Sequence, residues 1–190
     1  GLLLTLLLPA GTRTAAVEKI MQEVHTAADS LGLALLGGHT EFTAAVTQPV
    51  AAMTAVGKAK KGCFVTSAGG SPGDTLVLTK TAGHEGTAIL ATDFAAELKP
   101  QLGPDQLRRA QAFIEKVSIV PEAKIAAPLA TAMHDVTESG ILGAAFELAH
   151  ASGCGLELWA DEIPVAAETA AICQHMGLDP LGLIGSGSLL

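Results

Sequence analysis

The sequence predicts an α+β fold of mixed α/β layers in two domains, and three observations carry that prediction. An apolar run at the start, GLLLTLLLP, is followed by a helical stripe and then by two further short apolar segments, which is the order of a sheet layered with a helix. Residues 58–74, KAKKGCFVTSAGGSPGD, break this pattern with lysines, glycines, Ser71 and Pro72, as a domain boundary does. Beyond them, strand-like and helical segments alternate again to the end. Apolar residues make up 49% of the 190 and charged residues 16%, enough to build cores and too little charge for a disordered chain.

The run ending at Pro9 reads as a strand buried on both faces. Thr12 or Thr14 offers an N-cap. Val17, Ile20, Met21, Val24, Ala28 and Leu31 then recur at steps of three and four, a helix with one apolar stripe that stops at Gly32. LALL (33–36) reads as a short strand, GGHTE (37–41) as the loop after it, and VAAMTAVG (50–57), beyond Pro49, as another strand. In the second half TLVLTK (75–80) is strand-like and TAGHEG (81–86) is a turn. A helix is expected over 86–98, and a second from about Pro104 with Leu107, Ala110, Ile114 and Val117 on one face. Residues 121–130 read as short helix or irregular chain. Leu142, Ala145, Phe146 and Ala149 mark a helical face that ends at Gly153; LELW (156–159) alternates like a strand; 165–176 is a helix; GSGS (185–188) is a turn before Leu189 and Leu190. An opening on a strand with no initiator Met, and a close on another, suggest an internal fragment of a longer chain.

Charge and composition narrow the partners. The net charge is −8, no basic cluster exceeds Lys58, Lys60 and Lys61, and there is one Trp and no Tyr. A nucleic-acid binder needs a basic face or aromatic platforms, so nucleic acid is not an expected partner. The opening apolar run is far shorter than the ~20 residues a membrane span needs, and no basic stretch precedes it as in a signal peptide. Cys63, Cys154 and Cys173 lack zinc spacing and read as reduced, mostly buried thiols of a cytoplasmic protein.

Three clusters could carry chemistry. The paired glycines of GGHTE let backbone amides approach an anion, with His39, Thr40 and Glu41 beside them; a plain Gly-Gly turn is the alternative. In TKTAGHEG, Lys80 could serve phosphate as a point charge near amides at a helix start, or it could be a solvated lysine. In HDVTESG (134–140), Asp135 and Glu138 fit a variant capping box, whereas Asp135 alone fits Mg²⁺, which takes one or two carboxylates with waters and substrate phosphates. His25, His150 and His175 read as surface or half-buried residues.

LLLTLLLP (2–9), GGHTE (37–41), GDTLVLTKTAGHEGTAIL (73–90), HDVTESGILGAAFELAHASGCGLEL (134–158), IPV (163–165) and LDPLGLIGSGSLL (178–190) together resemble the aminoimidazole ribonucleotide (AIR) synthase, or PurM-like, superfamily. They are most similar to its AIR synthase-related and hydrogenase-maturation, HypE-like, branch. The resemblance implies a PurM-like two-domain architecture, with a partial N-terminal domain over 1–60 and a truncated C-terminal domain over 61–190. It implies ATP and Mg²⁺ as cofactors, a small-molecule substrate, and a homodimer that pairs N-terminal sheets. Phosphoryl transfer from ATP would activate an oxygen or a small substrate; the alternative is a non-catalytic dimeric accessory or scaffold protein. Asp135 matches the metal position. Gly37, Gly38, His39 and Thr40 match the loop near the phosphates. Lys80, His84 and Gly86 match the turn that opens the C-terminal domain. Ser139 stands where relatives often have glycine, the family's acidic N-terminal segment is absent, and Cys173 is not at the tail position of the branch's acceptor cysteine.

Overall fold

Alternation inside LLLTLLLP decides the first layer. In the computed structural model, which describes residues 1–190, these residues form β1 (Leu2–Pro9). This is the middle strand of a three-stranded sheet, parallel to β2 (Leu35–Thr43) and antiparallel to β3 (Val50–Ala55). Between β1 and β2 runs α1 (Thr14–Ser30). Leu4, Leu6 and Leu8 are buried and pack with Val17, Ile20, Met21, Val24 and Leu35. The expected burial of β1 on both faces does not hold. Leu3 is 40% exposed, because one helix can cover only one face and successive strand residues point to opposite sides. Neither threonine caps α1: Thr14 is its first residue, Arg13 stands at the cap position, and the Thr12 hydroxyl donates to the Pro9 carbonyl at 2.7 Å.

GGHTE is not a loop after a strand; it lies inside β2. The ladder slips by one residue at Leu36, so that Leu2 pairs with Leu35 while Leu3 pairs with Gly37. From there His39 pairs with Thr5 and Thr40 with Leu6. Gly38 has φ 146°, and a Cβ on it would lie 1.8 Å from the Leu4 carbonyl oxygen. Its lack of a side chain is therefore what lets β2 approach β1.

The chain divides into two compact units, Gly1–Cys63 and Phe64–Leu190. The second holds α2 (His84–Asp93), α3 (Ala95–Gln111), α4 (Val120–Ala126), α5 (Gly140–Ser152) and α6 (Ala167–Met176). The helix expected over 86–98 is thus two: α2 ends at Asp93, and α3 runs to a break at Gly103 between Pro100 and Pro104 before its second leg. Leu107 and Ala110 are buried as expected, with Ala91, Leu98 and Ile172, but Ile114 is exposed in a 3-10 turn over Ala112–Lys116. The core face of α5 is also rotated from expectation. Ile141, Ala144 and Ala145 are buried with Ala82, Val136 and Leu190, while Leu142 and Phe146 face out. Gly140 sets this orientation, since its backbone lies so close to Gly182 that a Cβ would meet the Gly182 carbonyl carbon at 2.7 Å.

TLVLTK and LELW form no ladder. Strand assignment needs a hydrogen-bonded neighbour, and in residues 75–80 only Thr79 has a backbone partner, its amide donating to the Leu189 carbonyl at 2.9 Å. Of the three free cysteines, Cys173 alone is buried; Cys154 is half-buried and Cys63 exposed.

Replacement of Gly38 by Ala is expected to destabilise the first unit by about 3 kcal/mol, the upper end of overpacking costs. Gly57→Ala, where the added Cβ meets nothing within 4 Å, should stay within about 0.5 kcal/mol of the parent in a urea titration.

Candidate functional site

In the second unit, the segment Gly185–Leu190 threads between the two polar clusters noted in the sequence. On one side His134 and Leu190 exchange backbone hydrogen bonds of 2.8 and 2.9 Å, the Val136 amide donates to Ser188, and the Gly185 amide donates to Thr137. On the other, the Ser188 hydroxyl donates to the Thr81 carbonyl at 2.8 Å, and the Leu189 amide donates to the Thr79 hydroxyl at 2.9 Å. Asp135 on one flank and Lys80 on the other are therefore fixed by the same short stretch of backbone.

Lys80 leaves its strand-like segment with φ 55°, the one residue other than glycine with positive φ in the chain. That conformation costs a side-chain-bearing residue on the order of 1–2 kcal/mol, and the ammonium group offsets it with a full set of partners. Nζ donates to the Gly187 carbonyl at 2.7 Å and the Ser118 carbonyl at 2.8 Å, and lies 2.8 Å from Glu122 Oε1. Three donors meet three acceptors. The hydrogen bond from Lys80 holds the Glu122 carboxyl below the usual carboxylate range.

His84 opens α2 and is 5% exposed. Its ring stacks on Phe113, with centroids 4.4 Å apart and planes at 9°, and neither ring nitrogen has a hydrogen-bond partner. Burial, and then the charges of Lys80 and Lys116, lower its pKa. Thr81 Oγ1 and Glu122 Oε2 are likewise buried without partners. The Gly86 amide donates to the Ile184 carbonyl at 2.9 Å, and Leu183 fills the space where a side chain would stand. Lys80, His84 and Gly86 are thus brought together, all three tied to the chain between Leu183 and Gly187.

Asp135 is not a helix cap. Ser139 occupies the cap position of α5, no side chain caps that helix, and the Ser139 Cβ packs over Gly143. The Asp135 carboxylate is 59% exposed, and His134 Nδ1 lies 3.7 Å from it. His134 turns its other nitrogen to Glu147 on α5 at 3.1 Å, while Nδ1 lies 2.6 Å from the Asp135 carbonyl. Glu138 is exposed. One free carboxylate, backed by an imidazole and held on a bonded backbone, suits a hard cation completed by waters and phosphate oxygens. No group of three or more His, Cys, Asp or Glu side chains gathers to hold a metal on its own.

In the first unit, His39 lies 3.5 Å from Glu41 on the open side of β2, where Gly37 leaves room beside it. Sequence reasoning missed Thr81, Ser118, Glu122, Gly187 and Ser188. Glu122 carries no local signal, since its partner lies 42 positions away in the chain, and by composition the SGS of residues 186–188 signals only a turn.

The chain belongs to the AIR synthase related family: the C-terminal domain model matches residues 71–190 and the N-terminal domain model residues 1–59. Its fold is the mixed α/β, PurM-like fold. It is 25% identical to a putative hydrogenase expression/formation protein of Methanocaldococcus jannaschii, over all of this chain and 55% of that protein. It is 27% identical to the carbamoyl dehydratase HypE of Cupriavidus necator, over 97% of this chain and 51% of that one. A crystal structure of the hydrogenase maturation protein HypE in complex with ATP superposes with a TM-score of 0.73 at 18% identity, over 99% of this chain and 55% of that one. The chain spans about half the length of the curated relatives it matches.

The His84 environment predicts a pH dependence. Its folded pKa lies below the ordinary 6.5, so the unfolded chain binds more protons once the pH drops through that value. Its contribution is complete above 6.5 and is lost progressively as the pH falls toward the lower folded pKa. Melts recorded between about pH 7.5 and 5 should therefore fall more steeply for the parent than for His84→Phe, which keeps the stacked ring and removes the titration.

Proposed function

We propose that the chain is part of an ATP- and Mg²⁺-dependent enzyme that transfers a phosphoryl group to activate an oxygen or a small substrate, in the cytoplasmic chemistry of hydrogenase maturation. The observation that carries this reading is the Asp135 carboxylate, which is released from any capping role and presented to solvent from a backbone bonded on both sides. Asp135 would hold Mg²⁺, which supplies charge neutralisation and orientation for phosphate oxygens. His134 holds the Asp135 main chain through its carbonyl and is itself braced by Glu147. Lys80 is the cation offered to phosphate, and His84 and Gly86 shape the turn behind it. In the first unit Gly37, Gly38, His39 and Thr40 form the phosphate-facing stretch: Gly38 keeps the two backbones close, and Gly37 leaves open space next to His39. Family membership and the ATP held by a HypE structure of the same fold support the nucleotide.

The same reading includes a homodimer. The sheet face away from α1 carries Leu3 and Val50 exposed beside Thr5, Ala52, Thr54 and the His39–Glu41 pair, a mixed surface whose apolar part a second copy of itself would cover.

Isothermal titration of Mg-ATP into the 190-residue chain tests the site. Asp135→Asn should weaken binding by about tenfold or more, at least the cost of removing a partner that merely orients a metal ligand; unchanged affinity removes Asp135 as a ligand. For the dimer, light scattering on a sizing column should give twice the chain mass for the parent and a single chain for Leu3→Asp. A monomeric parent overturns it.

A further inference from the structure

α4 is attached to the second unit in an unusual way. It contributes no buried residue, and it makes no extensive packing against any other helix or strand. Ile125 is 74% exposed and Leu129, just beyond it, 84%. What ties α4 down is Glu122, whose carboxylate meets Lys80 Nζ at 2.8 Å, together with the Ser118 carbonyl that the same ammonium holds just before the helix. The end of α4 and the turn after it, at Ala126, Leu129 and Ala130, form one wall of a cleft of about 470 Å³ whose other walls include Val77, Leu148 and Leu189.

The neighbourhood of this ion pair has unspent hydrogen-bonding capacity. Glu122 uses one oxygen and leaves Oε2 buried and unpartnered; Thr81 Oγ1 and both nitrogens of His84 are in the same condition. Buried polar atoms of a folded protein are nearly all paired, so four unpaired atoms on three residues at one junction mark a place built for more than the groups that occupy it. The cation at its centre sits on a strained, left-handed residue, as clamps and switches often do. Lys116 adds a second positive charge, whose field reaches His84.

We infer that Glu122 is an internal stand-in for an anionic ligand: its carboxylate occupies the Lys80 ammonium until an oxyanion of phosphate type displaces it, and the displacement releases α4 from the wall of the cleft. The inference rests on the reading of Lys80 as the phosphate-facing cation and adds its regulation. A tetrahedral oxyanion offers more acceptor oxygens than the single carboxylate oxygen that Glu122 presents to Lys80, and so has capacity to spare for an unpartnered donor nearby such as the Thr81 hydroxyl or a His84 N–H. Removal of the Glu122 charge in turn removes the ion pair of α4, and leaves the hydrogen bond from Thr131 to Asp74 as the tether beyond its end.

Inorganic phosphate, without metal or nucleotide, is the probe. Hydrogen exchange on the parent chain should show faster exchange at residues 120–127 when phosphate binds. Glu122→Gln should show that faster exchange before phosphate is added and should bind phosphate about tenfold more tightly, the ratio set by about 1.4 kcal/mol of lost competition. Phosphate that binds the parent without loosening 120–127, a Glu122→Gln chain with unchanged or weaker affinity, or no phosphate binding by either protein overturns the inference. Should Glu122→Gln fail to melt cooperatively, the exchange measurement on the parent decides alone. Since metal and nucleotide are left out, failure here is distinct from failure of the Asp135 titration.

Discussion

The second unit depends on one strip of backbone. Gly185–Leu190 supplies the acceptors and donors that His134 and Val136 need on one side and Thr79, Lys80 and Thr81 need on the other. Backbone polar groups in a protein interior must be paired, and neither flank has another strand to turn to. The two flanks carry the cluster around Asp135 and the cluster around Lys80, so the spacing between a carboxylate and an ammonium group rests on a few main-chain hydrogen bonds. The small residues of GSGS serve this directly: Gly187 packs against Lys116, Val117 and His84, and its carbonyl remains free for Lys80.

Helix starts in this unit are governed by packing more than by side-chain caps. Neither α2 nor α5 has a capping side chain. Main-chain contacts do that work, from Gly86 to Ile184 at one helix and from Leu142 to Leu181 at the other. Both helices dock on the chain between Leu181 and Ile184, which explains why Asp135 keeps an uncommitted carboxylate. Between α2 and α6, the buried Thr87 and Thr169 hydroxyls meet at 2.7 Å, and Thr87 donates onward to Gly83. Two β-branched residues that bond each other fix the sliding register of these helices as apolar side chains of similar size would not.

How much of this was legible in the sequence followed the range of the interactions. The stripe Val17, Ile20, Met21 and Val24 was readable because a helix writes its own period, and the sheet facing it needed no further information. The orientation of α5 was not readable. Leu142 and Phe146 are as apolar as Ile141 and Ala145, and it took the contact of Gly140 with Gly182, 42 positions away, to choose between the faces. TLVLTK and LELW have strand character by residue type, but a strand is a property of pairs, and a single segment does not state whether a neighbour exists. At the site, Asp135 and Lys80 stood out by local chemistry. The difference between a cap and a free carboxylate, and between a free lysine and one with all three donors engaged, lay in the tertiary partners.

The bonds from Leu189 and Leu190 back to Thr79 and His134 also constrain the order of events during synthesis. Contacts such as Lys80 to Gly187 span 107 residues, so the segment around Lys80 gains nothing from them until Gly187 has been made. The first unit has its strands in hand within the first fifty-five residues. It can settle while the second is still emerging from the ribosome, with α2 to α6 helical at best and lacking the strip that joins them. During that interval Ala82, Val136 and Ile141 have no complete core to enter. Chaperone capture and early proteolysis are therefore expected to act on the second unit at least until residues 185–190 have been made.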